Sequence, residues 1–585
     1  MIKLIKKLTK KQVFLVLISI LFITFQVYLD LKIPDYMNEI TKYVQTAGST
    51  VKDVLKPGSK MVLCALGSLM SSVVVGYFAA YIAASFSKRL RKDIFDKVGS
   101  FGMEEIKNFS TSSLITRTTN DVTQVGLLIS MGLQVIIKAP IMAIWAITKI
   151  VGKSYEWSIA TAGAIVVLLV LILVLVLIAL PKFKKIQWLT DNLNRITREN
   201  LTGIRVVRAF NAESYQKNKF DDANDELTST YSFTAKIMAL MSPVMTLIMS
   251  GLSLSIYFIG AYLINDAGMM DKIGLFSDMV VFSAYAMQVV MAFMMLTMIF
   301  ILYPRASVAS RRIVEILDTC PSVKEGVLDK GPCDCSLEFR NVSFKYPDAE
   351  EYMLSDISFK ASKGETIAFI GRTGSGKSTI VNLIPRLYDA TLGEVLVDGV
   401  NVKEYRESCL YDKIGYISQK AVMFRGSILE NVGLGKKSDK KVSKDAIINA
   451  IDIAQGGNFV NKLDGKYDFL LAEGGTNLSG GQKQRLSIAR AIARDPEIYI
   501  FDDSFSALDY KTDFVLRKEL SKHTKDKIVV IVAQRIGTIK DADQIFVIED
   551  GHVVGSGKHK DLLKSCDVYK EIALSQLGKE EVLND

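Results

Sequence analysis

Twenty-three consecutive residues, Ser158–Leu180, carry neither a charge nor a proline. Wound as an α-helix, such a run has no polar face to turn toward water, so it is not the surface helix of a soluble domain. It is long enough to cross a bilayer, for which roughly 20 apolar residues suffice. Five similar runs flank it: Val13–Leu29, Met61–Ser87, Val122–Thr148 (broken only by Lys138), Ile237–Ile264 and Met279–Tyr303. In hydrocarbon every backbone N–H and C=O must be satisfied within the segment, so these runs predict a membrane domain of six helices over residues 1–305. The first run is followed by five more and by no A-x-A-like site, which excludes a cleaved signal.

Basic residues set the expected orientation. Five lysines (Lys3, Lys6, Lys7, Lys10 and Lys11) precede the first run, and the connections 88–121 and 181–236 hold seven and ten Lys/Arg. The alternate connections 30–60, 151–157 and 265–278 hold five, one and one. Cytoplasmic loops carry the excess of Lys and Arg, so the N-terminus and the two rich connections are expected in the cytoplasm of a multi-pass protein of the cell membrane. The net charge of +10 thereby finds a partner in the lipid bilayer, and no nucleic acid is required. Met1–Gln12, with Ile2, Ile5 and Leu8 among lysines, reads as a short interfacial helix. The connection 181–236 is helical in pattern; folded as a pair of arms it would reach roughly 40 Å past the membrane.

After Arg305 the character changes. Residues 306–335 read as a linker, with Pro321, Gly326, Gly331 and Pro332 in it. Strands and helices then alternate over 336–577, the pattern of an α/β domain, before a tail at 578–585. Six cysteines without regular spacing make no disulfide framework. Cys320, Cys333 and Cys335 offer sulfur, but no histidine lies near and no second pair follows, which argues against a metal site.

Within the α/β domain, Gly371-Arg372-Thr373-Gly374-Ser375-Gly376-Lys377-Ser378 matches G-x-x-x-x-G-K-[ST]. A strand pattern, Thr366–Ile370, precedes it and a helical one beginning at Thr379 follows, the strand–loop–helix context the motif requires. Glycines let backbone N–H groups close around phosphate oxygens; Lys377 would reach the β- and γ-phosphates of ATP and Ser378 would ligate Mg²⁺. Further on, Ile498–Phe501 is a fully apolar strand that ends in Asp502, placed to deliver a carboxylate to that Mg²⁺.

Between these motifs lies Leu478-Ser479-Gly480-Gly481-Gln482, followed by Lys483-Gln484-Arg485. With this segment the chain resembles the ABC transporter family, and the resemblance covers nearly its whole length. It implies an all-α six-helix transmembrane domain followed by an α/β P-loop (RecA-like) nucleotide-binding domain: a half-transporter of the exporter type. In that family Tyr346 matches the aromatic that stacks on adenine, and Gln419 the glutamine that senses Mg²⁺ and γ-phosphate. Glu473 matches a glutamate that meets the coupling helices, here expected at Glu104–Arg117 and Ala209–Ser214. Ser506–Asp509 matches the D-loop. Ser479, Gly481 and Gln482 would act on ATP held by a second chain, because the family sandwiches each ATP between one chain's P-loop and the other's signature.

Two positions depart from the family pattern. The residue after the Walker B aspartate is normally Glu, which polarises the attacking water; here it is Asp503. The residue matching the switch histidine is Gln534, which can hydrogen-bond a phosphate but cannot carry its proton. The histidines, His523, His552 and His559, lie elsewhere. The resemblance therefore extends to the degenerate-site subunit of heterodimeric bacterial multidrug exporters, whose partner is a second half-transporter with intact Glu and His. Export of hydrophobic or amphipathic drugs, lipids or peptides is the expected activity. The alternatives are an importer built on the same fold and an ATP-binding regulator at the membrane. Met241, Met245 and Met249, and Met287, Met291, Met294 and Met298, recur at helical spacings and so share faces; flexible thioethers suit varied apolar ligands as well as ordinary helix packing.

Overall fold

Each apolar run lies inside one long helix of the computed structural model, which describes residues 1–576 except 47, 152, 269–270, 333 and 438–439. Cys333 and the 578–585 tail therefore fall outside the described residues. The chain divides into two units, one of residues 1–98 with 112–319 and one of residues 99–111 with the chain from Cys320 onward.

The first unit is built on six helices: α1 (Lys10–Gln45), α2 (Val51–Gly99), α3 (Val122–Ile150), α4 (Tyr155–Thr202), α5 (Glu213–Asp266) and α6 (Asp271–Asp318). All six are long and apolar enough to cross a membrane. Each contains one proline: Pro34, Pro57, Pro140, Pro181, Pro243 and Pro304. Membrane helices tolerate this because neighbouring helices and local adjustments re-satisfy the carbonyl that proline frees. Beyond Leu180, α4 continues for about 33 Å, and α5 rises for about 36 Å before Ile237. The first 13 of the 30 residues read as linker are helical, since α6 runs on to Asp318.

Three local details differ from the sequence reading. The N-terminal helix is a single turn, Ile2–Ile5, because Thr9 and Gln12 form a reciprocal cap that starts α1 at Lys10. The first connection is two short helices, Met103–Asn108 and Thr111–Thr116, split at Ser110 with φ 40°, and a π-turn at Arg117–Asp121 joins the second to α3. In the second connection the short helix is Ile204–Ala209, five residues earlier than expected. Gly203 ends α4, and Asn211 takes a left-handed conformation (φ 54°) that asparagine tolerates and that ends the short helix. The core of this unit gathers Val27 and Leu31 of α1, Met142 and Ala146 of α3, Trp157 and Leu168 of α4, Ile256 of α5, and Phe282, Tyr285 and Val289 of α6. Met245 is buried in that core with Met241 and Met249 against it, whereas Met291 and Met298 are exposed.

The second unit holds two main sheets beside two short two-stranded pairs. One is antiparallel, in the order β2-β1-β4-β5, from β1 (Ser336–Phe344), β2 (Leu354–Ser362), β4 (Leu392–Val397) and β5 (Val400–Asn401). The other is built from β3 (Thr366–Gly371), β6 (Ile414–Ile417), β7 (Ile498–Asp502), β8 (Ile528–Val532), β9 (Gln544–Glu549) and β10 (His552–Gly557). Its order is β6-β7-β8-β3-β9-β10, parallel except for the last pair. Every residue of β7 and β8 is buried, as expected for parallel strands covered on both faces. One face packs α7 (Lys377–Leu383) through Ile380, Val381 and Leu383; the other packs α8 (Gly480–Arg494) through Leu486, Ile488 and Ala489.

Candidate nucleotide-binding site

Strand order explains why scattered residues meet. Parallel neighbours β6, β7, β8 and β3 present their C-terminal ends side by side, where open α/β sheets bind ligands. Gln419 follows β6, Asp502 ends β7 and Asp503 follows it, Gln534 follows β8, and the glycine-rich loop follows β3.

The loop from Gly371 to Gly376 has the backbone that only glycine adopts easily. Gly374 and Gly376 have φ of +88° and +101°, and a Cβ on Gly376 would sit 2.6 Å from Leu354 Cδ2. Thr373 and Ser375 are carried on this loop, with Ser375 buried. The Lys377 ammonium lies against the loop, donating to the carbonyls of Gly371 (2.9 Å) and Arg372 (2.7 Å). Burial lowers its pKa below the ordinary 10.5, against the pull of the Asp503 and Asp502 charges. Thr379, on α7, shares a hydrogen bond with the Tyr346 hydroxyl (3.1 Å). The Tyr346 ring is held edge-on by Phe344 (4.8 Å) and Tyr388 (5.5 Å).

The Ser378 hydroxyl donates to Asp502 Oδ1 at 2.8 Å. Hydroxyl and carboxylate are hard oxygen donors of the kind Mg²⁺ takes, so the pair fits that ion. Gln419 would offer the metal its amide oxygen, the only Mg²⁺ donor a glutamine side chain has, while its Nε2 donates to Asp503. Burial raises the Asp502 carboxyl above its ordinary 3.8, partly offset by hydrogen bonds from Ser378 and Tyr416 and by the charge of Lys377. The Asp503 carboxyl is raised as well, chiefly by burial and further by the Asp502 charge, and the Gln419 bond opposes this. A buried carboxylate, Asp502, and a half-buried one, Asp503, beside a phosphate-binding loop call for a divalent cation to hold a polyphosphate there.

Asp503 has a left-handed backbone (φ 48°), with its N–H bonded to Val532 O at 2.9 Å. Its Oδ2 accepts from Gln419 Nε2 and from Gln534 Nε2, each at 3.1 Å. The two positions that depart from the family pattern thus meet at one oxygen atom. No histidine joins them: His559 is buried against the Tyr569 hydroxyl (2.6 Å), His523 ends the helix Tyr510–His523, and His552 starts β10.

The signature forms the start of α8. Ser479 caps the helix in a reciprocal pair with Gln482, its hydroxyl accepting from the Gln482 N–H while Gln482 Oε1 accepts from the Ser479 N–H at 2.9 Å. A Cβ on Gly481 would approach Ala507 O to 3.2 Å, so the signature and the D-loop are packed against each other. Asp509 in turn caps the helix that begins at Tyr510. Glu473 lies on a one-turn helix, Glu473–Gly475.

Three further side chains shape the site without any motif announcing them. Tyr416, one residue before the end of β6, donates to Asn382 Oδ1 (3.0 Å) and reaches Asp502 Oδ2 (3.4 Å). Gln576 straddles the backbone around Gln534, donating to Gln534 O (2.7 Å) and accepting from Ile536 N–H (2.9 Å). The Lys107 ammonium stands 5.8 Å from the Tyr346 ring centroid, in cation–π range.

Residues 16–293 match the model of the ABC transporter transmembrane region, and residues 354–506 that of the ABC transporter domain. An uncharacterized ABC transporter ATP-binding protein of Mycobacterium tuberculosis is 38% identical over 518 residues, covering 88% of this chain and 87% of that protein. The chain belongs to the ABC transporter family. It is similar as well to the uncharacterized ABC transporter ATP-binding protein YfiB of Bacillus subtilis (35% identical; 89% of this chain, 90% of that one). It is similar to an ATP-dependent lipid A-core flippase of Haemophilus influenzae (30% identical; 87% and 86%). Its fold matches a bacterial Atm1-family ABC exporter solved with ATP bound, at TM-score 0.81 and 22% identity over 97% of this chain and 98% of that one. This ABC half-transporter is therefore of the exporter type: a multi-pass membrane protein whose ATPase domain drives transport.

Proposed function

We propose that this half-transporter is the slow-site subunit of a heterodimeric exporter of amphipathic molecules. Its P-loop, Asp502 and Gln419 hold ATP with Mg²⁺, Tyr346 stacks on the adenine, and hydrolysis at this site is weak. Its signature, Ser479 to Gln482, completes the partner's site, where an intact Glu and His carry the fast turnover. The observation that carries this reading is the Asp503 carboxylate, one methylene shorter than glutamate and tied by the side-chain amides of Gln419 and Gln534. A carboxylate so held has one oxygen already committed to two donors, and no imidazole stands by to take charge from a phosphate. The lipid A-core flippases among the relatives and the exposed Met291 and Met298 support an amphipathic cargo. The Lys/Arg distribution supports a cytoplasmic N-terminus and nucleotide-binding domain.

Stoichiometry tests the proposal. A tagged copy extracted in detergent from native membranes is expected in a 1:1 complex with a second half-transporter bearing the catalytic Glu and switch His. Light scattering that shows a stable homodimer with full ATPase would overturn it.

A further inference from the structure

Four helices bring polar groups together in the first unit. Asp30 of α1 pairs with Lys138 of α3, Oδ2 to Nζ at 3.2 Å. Its other carboxylate oxygen accepts a short hydrogen bond from Ser68 of α2. The Asp30 carbonyl accepts from Gln288 Nε2 of α6 at 3.2 Å. Gln288 Oε1 is buried and has no hydrogen-bond donor among the described residues. Lys138 lies about 18 Å from the Ile150 end of α3, against a hydrocarbon core of roughly 30 Å. Nearer that end stands a second cluster, in which Asp35 is taken up by Lys149 (2.9 Å), Lys32 (3.4 Å) and the Tyr285 hydroxyl. Those contacts suffice to fasten α1, α3 and α6 together. A second ion pair at mid-depth adds desolvation cost that apolar residues of equal volume would avoid, and intramembrane charges of this kind mark substrate paths. The Lys138 and Asp30 side chains also remain 19% and 22% exposed, so the pair is reachable.

We propose that this cluster is a headgroup site for a zwitterionic amphiphile whose ammonium still carries N–H. The ligand's anion takes Lys138, while its ammonium takes Asp30 and donates to Gln288 Oε1. A quaternary ammonium satisfies the Asp30 charge but leaves Oε1 without a donor, so the site distinguishes the two. The inference deepens the amphipathic-cargo reading and rests on it. The ligand's source is either a lipid headgroup or a smaller amphiphile such as an apolar peptide with free ends.

The test titrates the detergent-solubilised assembly with acyl-chain-labelled phosphatidylethanolamine and phosphatidylcholine. The wild type is expected to prefer phosphatidylethanolamine by about tenfold, the scale of one buried hydrogen bond to a charged group. Gln288→Met, which leaves the ion pair in place, should bring the ratio to about one. Lys138→Met should lose both lipids, and Asp30→Glu should restore what Asp30→Asn loses. Displacement by a free-ended apolar tripeptide assigns the site to smaller amphiphiles, and lack of displacement assigns it to lipid. Equal binding of both lipids by the wild type, or an unchanged preference in Gln288→Met, overturns the proposal. So does a preference that persists in the doubly neutral Asp30→Leu, Lys138→Met variant, which avoids stranding a lone charge. Such failures leave the slow-ATP-site reading standing, because that is read by ATPase and stoichiometry.

Discussion

Asp503→Asn asks which ATP the assembly hydrolyses quickly. Shortening glutamate to aspartate withdraws the carboxylate by about 1.5 Å, and a misplacement of that size costs about two orders of magnitude in a positioned step. A site about 100-fold slower than its neighbour supplies on the order of 1% of total turnover. Asp503→Asn should therefore change steady-state ATPase of the purified complex by no more than a few per cent of the total, about the share of the slow site. Ser479→Arg should lower it about 100-fold, equivalent to about 2.7 kcal/mol, by placing bulk and charge where the partner's γ-phosphate must dock. Ser479→Thr retains the helix cap and separates that effect from loss of α8. Restoring the glutamate alone should gain little. Gln419 and Gln534 already stand at 3.1 Å from Asp503 Oδ2, so a longer side chain must push at least one aside. The double change Asp503→Glu with Gln534→His should create a second fast site and raise the total by at most about twofold. Single-turnover measurements on each variant separate chemistry from product release. If Asp503→Asn damages ATPase as severely as Glu→Gln in the partner, this site is competent and the asymmetric reasoning is wrong.

Two further expectations concern buried charge in the nucleotide-binding domain. Lys413 donates to Asp398 (2.6 Å), Glu497 (2.9 Å) and Pro332 O (2.8 Å), and Asp398 is almost fully buried; Lys413→Met should therefore cost about 3–5 kcal/mol, seen as a lower Tm, and Lys413→Met with Asp398→Leu should recover much of it. Burial opposes the Lys413 ammonium, but the bonds and charges of Asp398 and Glu497 outweigh it and hold its pKa above 10.5. That contribution is complete below 10.5 and is lost only as pH rises through the raised value, so melting between about pH 6 and pH 9 should not reveal it. The raised Asp502 and Asp503 carboxyls give the opposite dependence: Mg–ATP favours their ionised forms, so affinity should weaken as pH falls toward and through the range above 3.8. Calorimetry in buffers of different ionisation enthalpy should register proton release on binding at the acid end, and binding without proton exchange there would refute the assignment.

What the sequence made legible was whatever a single contiguous segment encodes. Apolar runs marked all six membrane helices, because lipid demands a long uninterrupted helix and little else. The P-loop was equally plain, since the positive φ of Gly374 and Gly376 requires glycine at fixed spacing. Asp30 was obscured by the same logic. A charge directly after Val13–Leu29 looks like the end of a span, whereas α1 continues to Gln45 and the partner that accommodates the charge, Lys138, is on another helix. Tyr416 and Gln576 were hidden for a related reason: each acts on a residue that tertiary structure alone brings near, Asp502 and Gln534 respectively. The sequence did reveal two departures, Asp503 and Gln534, but as separate events 31 positions apart. Strand order β6-β7-β8 joins them at one carboxylate oxygen, with Gln419 on the other side. This geometry changes how the substitutions should be weighed. An amide N–H complements a carboxylate whatever the pH, whereas a neutral imidazole whose other nitrogen is occupied cannot donate there. The glutamine thus matches the aspartate it touches, so changing either residue alone disturbs that contact. Because the two departures touch, we expect them to behave as one change, and a double-mutant cycle at Asp503 and Gln534 should be non-additive; additive effects would refute the coupling.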